Sequence, residues 1–139
     1  LVKIVQDIEK AFSTVKPNII YTHHVGDLNI DHQITHKAVM IASRPQPGCC
    51  VREIYTFEIL SSTEWNTQSS DSVFLPNYYV DISPVIDLKV KAMNMYEKEI
   101  RNFPHSRSIE GMMVLSKYRG SNMGMKNAEA FHIVRILKN

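Results

Sequence analysis

The sequence predicts an α/β fold, a sheet flanked by helices, and three observations predict it. Segments with apolar residues at helical spacing alternate with short runs rich in β-branched and aromatic residues. Those runs carry apolar residues on both faces, as strands covered on both sides do. Proline, glycine and serine stand at the boundaries between them. The chain has 139 residues, 44% of them hydrophobic, which suits one compact domain with a core of its own.

Val2, Ile4, Val5, Ile8, Ala11, Phe12 and Val15 recur at helical spacing, and Lys16-Pro17 ends that amphipathic helix. Residues 18–23 form a short apolar run in β-branched and aromatic company and predict a strand. Residues 26–31 are a loop. A helix follows over about 31–44, with Ile34, Ala38, Ile41 and Ala42 inward, stopped by Pro45 and a turn. Residues 51–59 predict a second strand. The polar stretch 61–72 is long enough to mark a functional loop. A shorter strand is predicted over 77–82. Ser83-Pro84 then has the pattern of an N-cap followed by proline in the first turn, opening a helix to about Arg101. A proline-containing loop over 101–108 leads to a helix over 109–118 closed by Gly120, and 128–137 is the last strand.

Composition excludes some partners. The net charge is +2, and no run of five like charges occurs, so nothing favours nucleic acid. No apolar run approaches the roughly 20 residues of a membrane span. Cys49 and Cys50 are adjacent, a spacing at which a structural disulfide is strained. A reducing, cytoplasmic setting is the expectation.

The chemistry concentrates in residues 21–40, which hold four of the six histidines together with Asp27 and Asp31. The cluster sits where a predicted strand gives way to a helix, the place where sites form in open α/β sheets. His32 falls in the first helical turn, where the positive end of the helix dipole favours a neutral ring with a lone pair for a metal. Asp31 either caps the helix or supports a ligand. Asp27, one loop away, is placed to orient a histidine ring. His32 and His36 are four apart, a spacing that can bind zinc, but the glutamate of the HExxH pattern is missing. His23 and His24 point to opposite sides at the strand's end, so one at most faces the site; His24 and Asp27 are taken as candidate substrate contacts. On spacing alone, a metal site and a group of solvated histidines are both open.

The stretch Gly26-Asp27-Leu28-Asn29-Ile30-Asp31-His32 resembles the second motif of the PIG-L/LmbE family of zinc-dependent N-deacetylases. That motif is a His-Pro-Asp-His type sequence after a Gly-Asp turn, at the head of a helix. Residues 103–131 are similar to the family's C-terminal part, so the resemblance runs from Leu1 to about Leu137. It implies a partial Rossmann-like sheet and hydrolysis of an N-acetylglucosamine-type amide with zinc as cofactor. By position, His32 matches the metal-ligand histidine and Asp31 the acid beside it. Asn29 stands where many members have a histidine that hydrogen-bonds the reacting carbonyl; an asparagine amide donates to the same oxygen. His105, Arg107 and Ser108 fall in a segment near the active-site mouth and are candidate substrate contacts. A loop-stabilising ion pair is the competing reading for His105 and Arg107. Glu64 and Trp65 are candidates either for substrate contact or for anchoring their loop.

The family's first motif, His-Pro-Asp-Asp, supplies two further metal ligands and the general base, and it does not occur in this sequence. A hydrolytic zinc site needs three protein ligands and an open position. The chain is therefore expected to be the C-terminal portion of a deacetylase-like protein, with N-terminal units missing, inactive alone and self-associating through an uncovered strand edge. A non-catalytic oligomerising or small-ligand-binding module is the alternative.

Overall fold

A computed structural model describes residues 1–138 and divides the chain into two compact units. The first runs from Leu1 to Leu75 and takes in the closing segment from Phe131; the second is Pro76–Ala130. One sheet has the strand order β1-β2-β4-β3, where β1 is Ile19–His23, β2 Glu53–Phe57, β3 Tyr78–Asp81 and β4 Ala128–Ile136. This is the α/β architecture that the alternating periodicity predicts.

In the first unit, helix α1 (Val2–Val15) packs on helix α2 (Ile30–Ala42), and α2 packs on β1. Strands β1 and β2 are parallel, with Ile19 opposite Glu53 and His23 opposite Phe57. Parallel neighbours need a crossover, and α2 supplies it. Strand β4 runs antiparallel to β2, with an irregularity at Ile54/Tyr55. Helix α1 ends as predicted: Lys16 takes the left-handed conformation (φ 51°, ψ 53°), its N–H donates to the Phe12 carbonyl, and Pro17 follows.

The core of this unit is Val5, Ala38, Val39, Val51, Ile54, Tyr55 and Phe74. Strand β2 is buried at Ile54, Tyr55 and Thr56 in succession, so both its faces are covered. Burying each large apolar side chain stabilises the fold by roughly 1.5–3 kcal/mol before entropy is counted. Tyr21 stacks on Tyr55 (centroids 5.3 Å apart, planes at 22°) and meets Phe131 edge-on at 5.3 Å. This aromatic row ties β1, β2 and β4 together across one face.

The second unit holds β3, the opening residues of β4, α3 (Ile86–Asn94) and α4 (Ile109–Ser121). Its buried apolar residues are Ile82, Met112, Ala128 and Ala130. Here the structure departs from the pattern. The predicted helix over 83–101 is a single 3-10 turn, Ser83–Val85, followed by the short α3. Ser83 caps nothing: its hydroxyl donates to Asp81 Oδ1 at 2.5 Å and accepts from the Asn127 N–H at 3.0 Å. The helix stops at Asn94 because the next amides tighten onto carbonyls three residues back, Met95 onto Ala92 and Tyr96 onto Met93. Met95 and Tyr96 are exposed, so no apolar face rewards further turns. Asn127 holds the unit together: it accepts from Ile82 N–H on its carbonyl and from the Ser116 hydroxyl on Oδ1. Glu129 pairs with Lys89.

Gly120 lies inside α4 instead of closing it. A Cβ there would fall 2.7 Å from the Met125 carbonyl oxygen and 3.0 Å from the Asn127 backbone. Replacing a helical glycine by alanine ordinarily stabilises by about 1 kcal/mol. Here the sign inverts, and Gly120→Ala is expected to destabilise by about 1–3 kcal/mol through overpacking. Urea denaturation followed by circular dichroism checks it; a raised midpoint would contradict the close approach.

Candidate active site

Strand β1 ends at His23, and α2 begins seven positions on at Ile30. The connecting turn is shaped by Gly26 and Asn29. A Cβ on Gly26 would lie 2.2 Å from the Ser72 carbonyl oxygen, so no larger residue fits against that backbone. Asn29 is the N-cap of α2: its Oδ1 accepts from the Asp31 N–H at 2.8 Å. The turn is laced to the 61–75 loop. The His24 ring Nε2 donates to the Ser72 carbonyl at 2.9 Å, and the Asn66 amide donates to the Gly26 carbonyl at 2.9 Å.

Asp27 sits at the centre, fully buried. Its carboxylate accepts from the Asn29 N–H at 2.9 Å, from the Thr63 hydroxyl at 2.8 Å and from the Ser62 hydroxyl. Burial alone pushes this carboxyl's pKa up. The bonds from Ser62, Asn29 and Thr63, with the nearby His32, outweigh burial and hold it below its ordinary value. Asp27 is a carboxylate, and its Oδ1 lies 3.0 Å from His32 Nδ1. The contact is a close approach of charge to the ring and not a formed hydrogen bond, and that nitrogen has no other partner. Negative charge this near favours the tautomer with its proton on Nδ1 over one with a bare lone pair there. Nε2 then keeps the lone pair, and the His32 side chain is 21% exposed.

His23 stacks on His32, with centroids 4.1 Å apart and planes at 15°, and tilts against Phe57. Its pKa is lowered, first by burial and then by His32, against the pull of Asp27. His36 donates from Nδ1 to the His23 carbonyl at 2.9 Å. Burial lowers its pKa too, partly offset by that bond.

Asp27, Asn29, Asp31 and His32 thus come together at the head of α2. Asp31 is exposed in the first turn, and Asn29 takes the capping role in its place. His24 is buried behind the turn, its ring edge-on to Phe74 as well as bonded to Ser72. The other candidates lie in the second unit. Ser108 is fully buried and caps α4, its Oγ accepting from the Gly111 N–H at 2.9 Å. Arg107 pairs with Glu99 at 2.6 Å, and its backbone N–H donates to His105 Nδ1 at 3.0 Å. Glu64 is a loop anchor: its carboxylate accepts from the N–H groups of Ser61 and Ser62. Trp65 is about half exposed. Ser62 and Thr63 escape the sequence reading. Nothing in the order of residues ties them to an acid 35 positions earlier.

His32 fits the part of a metal ligand: a carboxylate holds one ring nitrogen and leaves the other for an ion. Its neighbours do not complete a site. Among the described residues, no three His, Cys, Asp or Glu side chains gather into a group that could hold a metal. Because the His23 and His32 rings are stacked, their lone pairs lie in nearly parallel planes and do not converge on one point.

The sequence matches no protein-family model and no curated protein. Solved structures do match. The conserved protein TT1542 from Thermus thermophilus superposes with a TM-score of 0.74 at 14% identity, over 100% of this chain and 61% of that one. This chain shares that fold. The N,N'-diacetylchitobiose deacetylase from Pyrococcus horikoshii matches with a TM-score of 0.69 at 16% identity, over 96% of this chain and 51% of its own. GalB, the 4-carboxy-2-hydroxymuconate hydratase from Pseudomonas putida KT2440, matches with 0.69 at 18% identity, over 100% and 62%. The chain therefore spans about half to three-fifths of the length of these structures. They include both a deacetylase and a hydratase, so fold alone does not select the reaction.

Two outcomes follow from the charges at this site. His23 and His36 titrate below their ordinary value of about 6.5, so under that pH the unfolded chain binds protons that the native state does not. Their contribution is complete above about pH 6.5 and is lost as pH falls below it. Asp27 contributes stability that is present above its ordinary value of about 3.9 and lost as pH falls through the lowered native value. The melting temperature is expected to hold steady from about pH 8 to 7, drop below about 6.5 and drop again below about 4. A midpoint that rises on acidification from about pH 7 to 5 would refute this. Second, Asp27→Ala strands the Ser62 and Thr63 hydroxyls and the Asn29 N–H, each costing about 1–3 kcal/mol if left unpaired. A loss of at least about 2 kcal/mol in a denaturant titration is expected.

Proposed function

We propose that this chain is part of a PIG-L/LmbE-like metal-dependent N-deacetylase, which hydrolyses the amide of an N-acetylated amino sugar or a related N-acyl small molecule. One observation carries the reading: His32, at the head of α2, has its Nδ1 3.0 Å from the buried Asp27 carboxylate, an arrangement that suits Nε2 to a metal. A fold shared with an N,N'-diacetylchitobiose deacetylase supports it, as does the Gly-Asp…Asp-His motif at the same helix head.

In this reading His32 is a zinc ligand. The metal, when bound, supplies Lewis-acid activation of water for attack on the amide. Asn29 positions the substrate. Its Oδ1 is used in the cap, so the Nδ2 amide is the group with hydrogens to donate to the carbonyl oxygen. Asp31 adds negative charge beside His32. His24 supports the site from behind through Ser72. Further ligands and a general base are contributed from outside these residues, so the chain alone is expected to be inactive. Two free cysteines suit a reducing cytoplasm. Among the described residues, no helix is long and apolar enough to cross a membrane.

A second reading, a non-catalytic self-associating module, draws on a different observation. Strand β1 is the edge of the sheet, and Ile19 and Tyr21 on it are 42% and 51% exposed. Both readings predict self-association. Light scattering should give a mass above the 16.0 kDa of one chain, and a mass equal to one chain would count against both.

Elemental analysis and acetate release from N-acetylglucosamine separate the two readings. The deacetylase reading expects bound zinc, in the chain joined to its completing ligands, that is lost in His32→Ala and kept in His132→Ala. His132 is a fair control because its ring is bonded to the Leu75 carbonyl. Zinc content insensitive to His32, with no acetate released, would leave the module.

A further inference from the structure

We propose that Glu64 is a positioning residue for His32, acting through the Ser61–Thr63 turn and the Asp27 carboxylate. Any consequence for catalysis rests on the metal-dependent reading above; the geometry stands without it.

The relay can be followed atom by atom. Glu64 is exposed, yet both its oxygens are turned back onto the chain. Oε1 accepts from the Ser61 N–H at 2.6 Å and Oε2 from the Ser62 N–H at 3.2 Å. Ser61 needs that support, because it holds φ 64°, a left-handed conformation that a non-glycine residue adopts at a cost. Charge-assisted bonds from one carboxylate clamp the strained residue and its successor. The clamp aims two hydroxyls. Thr63 Oγ1 accepts from the Ile59 N–H at 2.8 Å, which commits a lone pair and leaves its single proton for Asp27 Oδ2 at 2.8 Å. The Ser62 hydroxyl donates to Asp27 Oδ1, the oxygen that lies 3.0 Å from His32 Nδ1. With both oxygens held, the carboxylate cannot rotate away from the ring. The His32 proton therefore stays on Nδ1, and Nε2 is the ligand atom. Without Glu64, Ser61 and Ser62 lose two charge-assisted bonds, the Ser62 hydroxyl loses its aim, and Asp27 Oδ1 is released to turn from the His32 ring, while Thr63 stays bonded to Ile59.

A loop anchor that served only stability would leave this tautomer unchanged, and the experiment reads the tautomer. Long-range proton–nitrogen correlation spectra of the ¹⁵N-labelled, metal-free chain at about pH 8, above the ordinary histidine range, report which nitrogen carries the proton. Wild type is expected to show His32 with its proton on Nδ1. Glu64→Ala is expected to lose that signature in favour of the Nε2–H form, which an unconstrained imidazole prefers in water. Glu64→Gln keeps one carbonyl oxygen for one of the two amides and should restore part of it. His36, whose Nδ1 donates to a backbone carbonyl, should not change and serves as the internal control. A folded Glu64→Ala chain in which His32 keeps the Nδ1–H signature overturns the proposal. Should Glu64→Ala fail to fold, Ser62→Ala is read in its place, and an unchanged His32 there overturns it equally. The tautomer is read without zinc or substrate, so its outcome is distinct from that of the zinc and acetate measurements.

Discussion

A charge buried without access to water is the constraint that organises this molecule. Asp27 is 0% exposed, and an unpaired carboxylate in that position would cost several kcal/mol. The chain meets the demand with groups from three places: the Asn29 N–H at the head of α2, the Ser62 and Thr63 hydroxyls from a distant loop, and the His32 ring in the first helical turn. The requirement is mutual. The loop cannot approach unless position 26 lacks a side chain, and the turn cannot close unless the loop delivers its donors. The carboxylate is thus at once the reason that the turn and loop pack together and the reason that His32 points one way.

The same constraint sets what these residues would offer to a zinc hydrolase. A zinc hydrolase requires an oriented ligand set, an open position and a base. The described residues provide one oriented histidine with its carboxylate support. They provide a helix head capped by an amide that retains donor hydrogens. The stacked His23 does not join His32 in facing a common point, because the two rings lie in nearly parallel planes. A fold that carries a deacetylase in one solved structure and a hydratase in another is compatible with several reactions of water.

Most of the fold was legible in the sequence, because local signals and tertiary packing agree there. Helix α1 declares itself through seven apolar residues at helical spacing and a Lys-Pro stop. Strands β1, β2 and β4 declare themselves as β-branched and aromatic runs. The reading failed after Ser83, where an N-cap pattern was satisfied by other means. Ser83 spends its hydroxyl on Asp81 and Asn127, and the residues after Asn94 have no face to bury. The helix start after Ser108 was legible, but not the cap itself: the fully buried Ser108 hydroxyl accepts from the Gly111 N–H. At the site, His32 and Asp27 were legible from their place between a strand and a helix. Ser62 and Thr63 were not, because a buried carboxylate recruits donors through space, and periodicity carries no record of that.

An orientation fixed by protein groups alone has a thermodynamic consequence. In small zinc modules the metal organises its ligands, and binding free energy becomes folding free energy. Here the ring of His32 lies beside Asp27 and is stacked against His23 in the fold itself. Asp27 in turn is held by the Ser62, Thr63 and Asn29 donors. The rotamer entropy of this ring is therefore lost on folding. The head of α2 therefore carries a side chain whose orientation the fold itself sets, one turn after the edge strand β1 ends at His23.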